Sequence, residues 1–137
     1  MIVVDTGPLV ALCDPRDRKH AAAVSHLAAL VPRGLFVCEA VLVEACFLLP
    51  HAHHRARLHA LCQELRIEAI DTHDTAFRAD VFAWLLKYAE HLPDWADGCL
   101  AVLSGRHLTA KVWTYDREFR TTWRRPDGRA IPLAVRA

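Results

Sequence analysis

Met1-Ile2-Val3-Val4-Asp5-Thr6-Gly7-Pro8 opens the chain, and its reading decides the fold. Residues 2–5 form a short apolar run ending in an acid, the pattern of a buried strand. Thr6-Gly7-Pro8 is a turn and helix opener, followed by a short helix from Leu9 to Cys13. A buried strand handing directly to a helix is the start of an α/β arrangement.

The same alternation continues along the 137 residues. A helix is expected over 18–31, with Ala22, Val24, Leu27, Leu30 and Val31 at helical spacing. Pro32-Arg33-Gly34 stops it. Leu35-Phe36-Val37-Cys38 is a second strand, and 40–49 an apolar helix closed by Pro50. Residues 53–65 make another helix, with Leu58, Leu61, Cys62 and Leu65 on one face. Arg66 to Ile70 is a third strand. Asp71 or Thr72 caps a long helix to about Glu90, with Phe77, Val81, Trp84, Leu85 and Tyr88 inward. Pro93-Asp94 opens a helix to about Arg106, Lys111 to Tyr115 is a fourth strand, and Ile131 to Val135 a weaker fifth. The expected fold is α/β, a three-layer α/β/α sandwich with a central, mainly parallel sheet.

Four acids stand at informative places in that frame. Asp5 ends the first strand and Asp116 follows the fourth. Glu44 interrupts an almost wholly apolar helix, and Asp97 opens another. Carboxylates beside core-forming runs need partners or they neutralise. In open parallel sheets the working site lies beyond the carboxyl ends of strands, where strand order reverses. If strands one and four are neighbours, Asp5 and Asp116 meet there. Together the four acids would make an oxygen-rich pocket suited to Mg²⁺ or Mn²⁺. Each acid also has a structural reading. Asp5 and Asp116 can cap turns, and Asp97 can reach back to an Asp94 N-cap in a capping box. Glu44 has the weakest such reading.

These residues resemble a known family. Val4-Asp5-Thr6-Gly7, Val41-Leu42-Val43-Glu44, Leu92-Pro93-Asp94-Trp95-Ala96-Asp97-Gly98 and Thr114-Tyr115-Asp116-Arg117-Glu118-Phe119 match, in order and spacing, the PIN domains. The chain is most similar to VapC-type toxins of bacterial toxin–antitoxin pairs. The resemblance implies one nuclease domain over 1–137, with Asp5, Glu44, Asp97 and Asp116 holding metal and Asp94 auxiliary. It implies cleavage of single-stranded RNA, a cognate antitoxin and a homodimer. Thr6 and Thr114 match its hydroxyl positions. Gly98 departs from the family, which more usually has Ala there; the difference is small enough to expect little consequence. Residues 15–34 and 50–70 carry no family signature and are expected to set partner and substrate choice.

Composition sets the outer limits. The net charge is +1, without the basic excess of a dedicated nucleic-acid-binding module, so RNA contact must come from local patches. One such patch is the arginine-rich last third: Arg106, Arg117, Arg120, Arg124, Arg125, Arg129 and Arg136, with Trp123 among them. Arg117 and Arg120 are favoured for substrate because they follow Asp116. The alternative is a solvated basic surface, or one facing an acidic partner. Cys13, Cys38, Cys46, Cys62 and Cys99 are odd in number and lack a C-x-x-C spacing, as for reduced thiols in a cytoplasmic protein. No basic leader precedes the first strand, and no apolar run reaches the roughly 20 residues of a membrane span. His51, His53 and His54 invite zinc, but no fourth ligand stands at a usual spacing. Trp84, Tyr88 and Trp95 read as core or interface.

Two rival readings compete with the nuclease. A catalytically silent module of the same fold would bind RNA or protein without cutting. A receiver-like phospho-acceptor domain also places acids at strand ends. It would want an acidic pair early and a lysine late, whereas Asp5 has no adjacent acid and Lys111 begins its strand.

Overall fold

The computed structural model describes residues 1–136. Four strands, β1 (Ile2–Val4), β2 (Leu35–Cys38), β3 (Glu68–Ile70) and β4 (Lys111–Trp113), form one sheet in the order β3-β2-β1-β4. Every pairing is parallel, and helices flank the sheet in a three-layer α/β/α arrangement. The chain lays β2 and β3 on one side of β1, then returns to place β4 on the other. Strand order therefore reverses between β1 and β4, as the position of Asp5 and Asp116 requires.

β1 is buried on both faces, which explains its unbroken apolar run. It stops at Val4, because Asp5 turns out as the N-cap of α1 (Thr6–Cys13). Pro8 fits that first turn, where its missing N–H costs nothing. α2 (His20–Leu30) is shorter than the spacing predicts, and Val24 lies half in solvent. α3 (Glu39–Leu48) and α4 (Ala52–Glu64) lie within a residue of expectation at each end.

α5 (Thr75–Lys87) differs at its start. Its N-cap is Asp74, while Asp71 instead accepts the His73 N–H in a local turn. Phe77, Val81 and Trp84 do face the core. α6 (Trp95–Arg106) crosses α5 closely at Gly98. A Cβ there would stand 2.9 Å from Val81 Cγ1 and 3.3 Å from Trp84 Cε3. Glycine at this departure from the family pattern is thus a packing requirement and not a neutral choice. The fifth strand is reduced to one parallel bridge, Val112 to Leu133. Pro132, which has no N–H to donate, lies in that segment.

Candidate acidic cleft

Asp5 is buried and fixed by two bonds. Its Oδ1 accepts the Thr6 N–H at 2.7 Å and its Oδ2 accepts the Thr114 hydroxyl at 2.7 Å. Val4 pairs with Trp113 in register, so Thr114 arrives beside Asp5 directly off β4. The Thr114 oxygen in turn accepts the Asp116 N–H at 3.0 Å. One hydroxyl thereby ties the first acid to the last, across a separation of 109 residues for the side-chain bond. Asp116 Oδ1 takes the Glu118 N–H ahead of the short helix α7 (Glu118–Thr121).

Asp94 and Asp97 form a reciprocal capping box at the start of α6. Asp94 Oδ1 accepts the Asp97 N–H at 2.8 Å, and Asp97 Oδ2 accepts the Asp94 N–H at 3.1 Å. Capping occupies one oxygen of each carboxylate. Glu44 reaches in, half-buried, from α3. Asp5, Glu44, Asp94, Asp97 and Asp116 all line one cleft of about 520 Å³, with Thr6, Asp17 and Glu118. Thr6 Oγ1 is buried and makes no hydrogen bond; it lies near Glu44 without closing one.

The crowding has an electrostatic signature. Burial pushes Asp5 up to about 6, against its two hydrogen bonds, and the charges of Asp116 and Asp94 push the same way. Burial lifts Glu44 to about 7, helped by Asp94 and Asp5. Asp97 rises to about 8, again through burial first, then through Asp94, Asp5 and Asp116. The cleft holds more negative charge than it can neutralise.

That excess is the chemistry of a hard-cation site. Every donor is oxygen, and the Thr6 hydroxyl is uncommitted. Among the described residues, no three His, Cys, Asp or Glu side chains are grouped so as to hold a metal ion as they stand. Mg²⁺ suits this spread, since it keeps several waters and takes only one or two carboxylates directly. The histidine cluster at 51–54 likewise gathers no metal-holding group.

A family model described as PIN domain matches residues 2–123. The chain belongs to the PIN domain family. As a PIN domain it is similar in fold to the crystal structure of a Mycobacterium tuberculosis protein, VapC20, a Sarcin-Ricin loop cleaving toxin. The two share 22% identity at a TM-score of 0.72, over 88% of this chain and 94% of that one. A comparison with curated proteins returned no match.

The basic residues are distributed differently from the sequence expectation. Arg117 and Arg120 are exposed, and neither lines the acidic cleft of this PIN domain. Arg120 borders a separate small depression. Arg106 is engaged by Asp80 and Asp74, and Arg125 is buried. Trp123 is buried edge-to-face against Trp84, their centroids 5.3 Å apart, and offers no stacking face. The cations that do line the cleft are Arg18 and Lys19, from the loop between α1 and α2. Both lie in the 15–34 segment expected to set partner and substrate choice, but the loop carries no motif and neither residue was singled out. Tyr115, also in the cleft wall, lay inside a motif but between two residues that drew the attention.

Proposed function

We propose that this PIN domain, acting as one unit over 1–137, is a Mg²⁺- or Mn²⁺-dependent endoribonuclease that cleaves single-stranded RNA. We further assign it to the cytoplasm as the homodimeric toxin of a VapBC-type pair, restrained by a cognate antitoxin protein. The observation that carries the catalytic reading is the convergence of five carboxylates, two of them from the start of α6 and the others each from a different part of the fold, on one cleft at the strand-order reversal. The fold likeness to VapC20 supports the toxin assignment. Exposed apolar side chains support the protein partners: Val43, Phe47, Leu48, Phe82, Leu86 and Leu92 stand more than half exposed. Val43 and Phe47 border a groove of about 760 Å³ that also shares Glu44 and Asp94 with the acidic cleft. Among the described residues, no helix is long and apolar enough to cross a membrane.

A divalent cation bound here would polarise a scissile phosphate oxygen and make a water nucleophilic near neutral pH. The protein's own groups do the rest. Asp5, Asp97, Asp116 and Glu44 would hold the cation, with Asp94 auxiliary. Thr114 fixes Asp5 and the Asp116 backbone relative to each other. The Thr6 hydroxyl is placed to bond substrate or water. A carboxylate oxygen not used in capping orients the attacking water and accepts its proton.

The test is cleavage of a labelled single-stranded RNA. Activity should require Mn²⁺ or Mg²⁺ and stop in EDTA. Asp116→Asn should lower the rate on the order of 100-fold or more while leaving the circular dichroism spectrum unchanged. A wild-type protein that binds the RNA but, like Asp116→Asn, cleaves it no faster than background would instead establish the catalytically silent binding module.

A further inference from the structure

We propose that Arg18 and Lys19 form the substrate-gripping wall of the cleft, binding the RNA phosphate next to the one cleaved, with Tyr115 as the positioning residue for Lys19. This rests on the nuclease reading and locates its substrate contacts away from Arg117 and Arg120.

The loop carrying the two cations is braced. Asp17 Oδ1 accepts the Lys19 N–H at 2.8 Å, and Asp14 Oδ1 accepts the Arg16 N–H at 2.9 Å. The His20 N–H donates to the Asp17 carbonyl, and His20 Nδ1 lies 2.7 Å from the Ala11 carbonyl. Asp17, the one acid in the same loop that lines the cleft, is therefore folded back on its own backbone. Lys19 Nζ sits 5.5 Å from the centre of the Tyr115 ring. That ring cannot drift. Its hydroxyl accepts from the buried Trp113 Nε1 at 3.1 Å and meets His26 Nδ1 at 2.8 Å. With its oxygen engaged on both sides, Tyr115 presents a π face to Lys19 and is not free to act as a proton donor.

The charge arrangement completes the argument. Seven acids line the cleft, yet neither Arg18 nor Lys19 forms an ion pair within 4.0 Å among the described residues. Cations serving only to neutralise the acids would collapse onto them. Here one is held over an aromatic ring, a cation–π contact that keeps the ammonium partly desolvated and unpaired. An unpaired lysine and arginine beside a carboxylate cluster suit a polyanion whose successive phosphates meet cation and metal side alternately.

Binding of a fluorescein-labelled 12-nucleotide single-stranded RNA to the Asp116→Asn protein in Mn²⁺ tests this. Lys19→Ala and Arg18→Ala should each weaken binding about tenfold, the worth of one charge-assisted contact. Each should also make the plot of log affinity against log salt shallower by about 0.7, a change that loss of fold alone does not give. Lys19→Arg should restore most of the slope. Tyr115→Leu should cost about threefold, and Tyr115→Phe, which keeps the ring, less. Unchanged affinity and slope in Lys19→Ala and Arg18→Ala, or the same losses arising instead in Arg117→Ala and Arg120→Ala, overturns the assignment and leaves the nuclease reading standing. A wild-type protein that neither binds nor cleaves the RNA in Mn²⁺ overturns both.

Discussion

Asp5 and Arg125 are buried almost equally, at 8% and 7% exposure, and each makes two side-chain hydrogen bonds, yet they belong to opposite kinds of site. Arg125 donates from Nε to Ser104 Oγ at 2.9 Å and from Nη2 to the Leu108 carbonyl at 3.0 Å. Its acceptors are neutral, and the Arg124 carbonyl beside it accepts from Trp84 Nε1, which ties this segment to an aromatic knot of Trp84, Tyr88 and Trp123. Asp5 is bonded as well, but burial raises its pKa nonetheless, and the charges of Asp116 and Asp94 add to that rise. Counting hydrogen bonds does not separate the two. The sign of the neighbouring charge does. A buried charge among neutral partners fastens the fold, whereas one among like charges stores a demand for a counter-ion.

The largest effect should come from the knot. Arg125→Ala removes both bonds, strands Ser104 Oγ and the Leu108 carbonyl, and opens a cavity. We expect a loss of about 3 kcal/mol in urea unfolding. A loss below roughly 1 kcal/mol would show that Arg125 is not fastening anything, and the contrast with Asp5 would dissolve.

The cleft should respond in the opposite direction. Asp5, Glu44 and Asp97 have native pKa values raised above their ordinary ones, to about 6, 7 and 8. The native state therefore binds protons more tightly than the unfolded chain. Stability from these groups is fully present below about pH 4 and is lost as pH climbs through 6 to 8. In EDTA, the melting temperature should fall between about pH 5 and pH 8.5. Asp97→Asn keeps an oxygen for the Asp94 N–H but drops a charge, so at the alkaline end it should melt about 3 °C above wild type. That advantage should vanish at about pH 5, where Asp97 is already protonated in the native state. Millimolar Mn²⁺ should raise wild type at the alkaline end and Asp97→Asn less. A pH-independent melting temperature in EDTA would remove the electrostatic half of the comparison.

The two regions were also unequally legible in the sequence. Asp5, Glu44, Asp97 and Asp116 were readable because an acid abutting an apolar run is locally anomalous, whereas Asp94 entered only as a helix cap and through the family resemblance. The alternation of strand and helix gave the parallel sheet for the same reason: periodicity is local. Arg125 and Trp123 were misread as a basic, aromatic surface. Nothing near them in sequence announces Ser104, Leu108 or Trp84, which reach them from 15 or more positions away. Arg18 and Lys19 were not singled out within the 15–34 segment for a related reason, since only the fold brings their loop against Tyr115. The fifth strand failed on a different count: β-type side chains at 131–135 are present, but Pro132 withholds a ladder donor, and one bridge remains.

Gly98 is the seam between the regions, and it yields the smallest and most discriminating prediction. It follows Asp97 in α6, and it packs against Val81 and Trp84 of α5. Alanine would gain about 1 kcal/mol of helix propensity over glycine. Its Cβ would, however, stand 2.9 Å from Val81 Cγ1 and 3.3 Å from Trp84 Cε3. Neither can retreat easily. Val81 is fully buried, and Trp84 is held by its Nε1 bond to the Arg124 carbonyl at 2.8 Å and by Tyr88 and Trp123 on its flanks. Overpacking of this kind costs about 1–3 kcal/mol. Gly98→Ala should therefore be less stable than wild type by about 1 kcal/mol, with an unchanged denaturant slope. Gly7 is the control, because a Cβ there meets nothing within 4 Å. Gly7→Ala should shift stability upward by a few tenths of a kcal/mol. Opposite signs at two helical glycines would show that the aromatic knot holds α6, and with it Asp97, at a fixed distance from α5. A stabilising Gly98→Ala would mean that the knot yields, and that the position of Asp97 is set by its capping box alone.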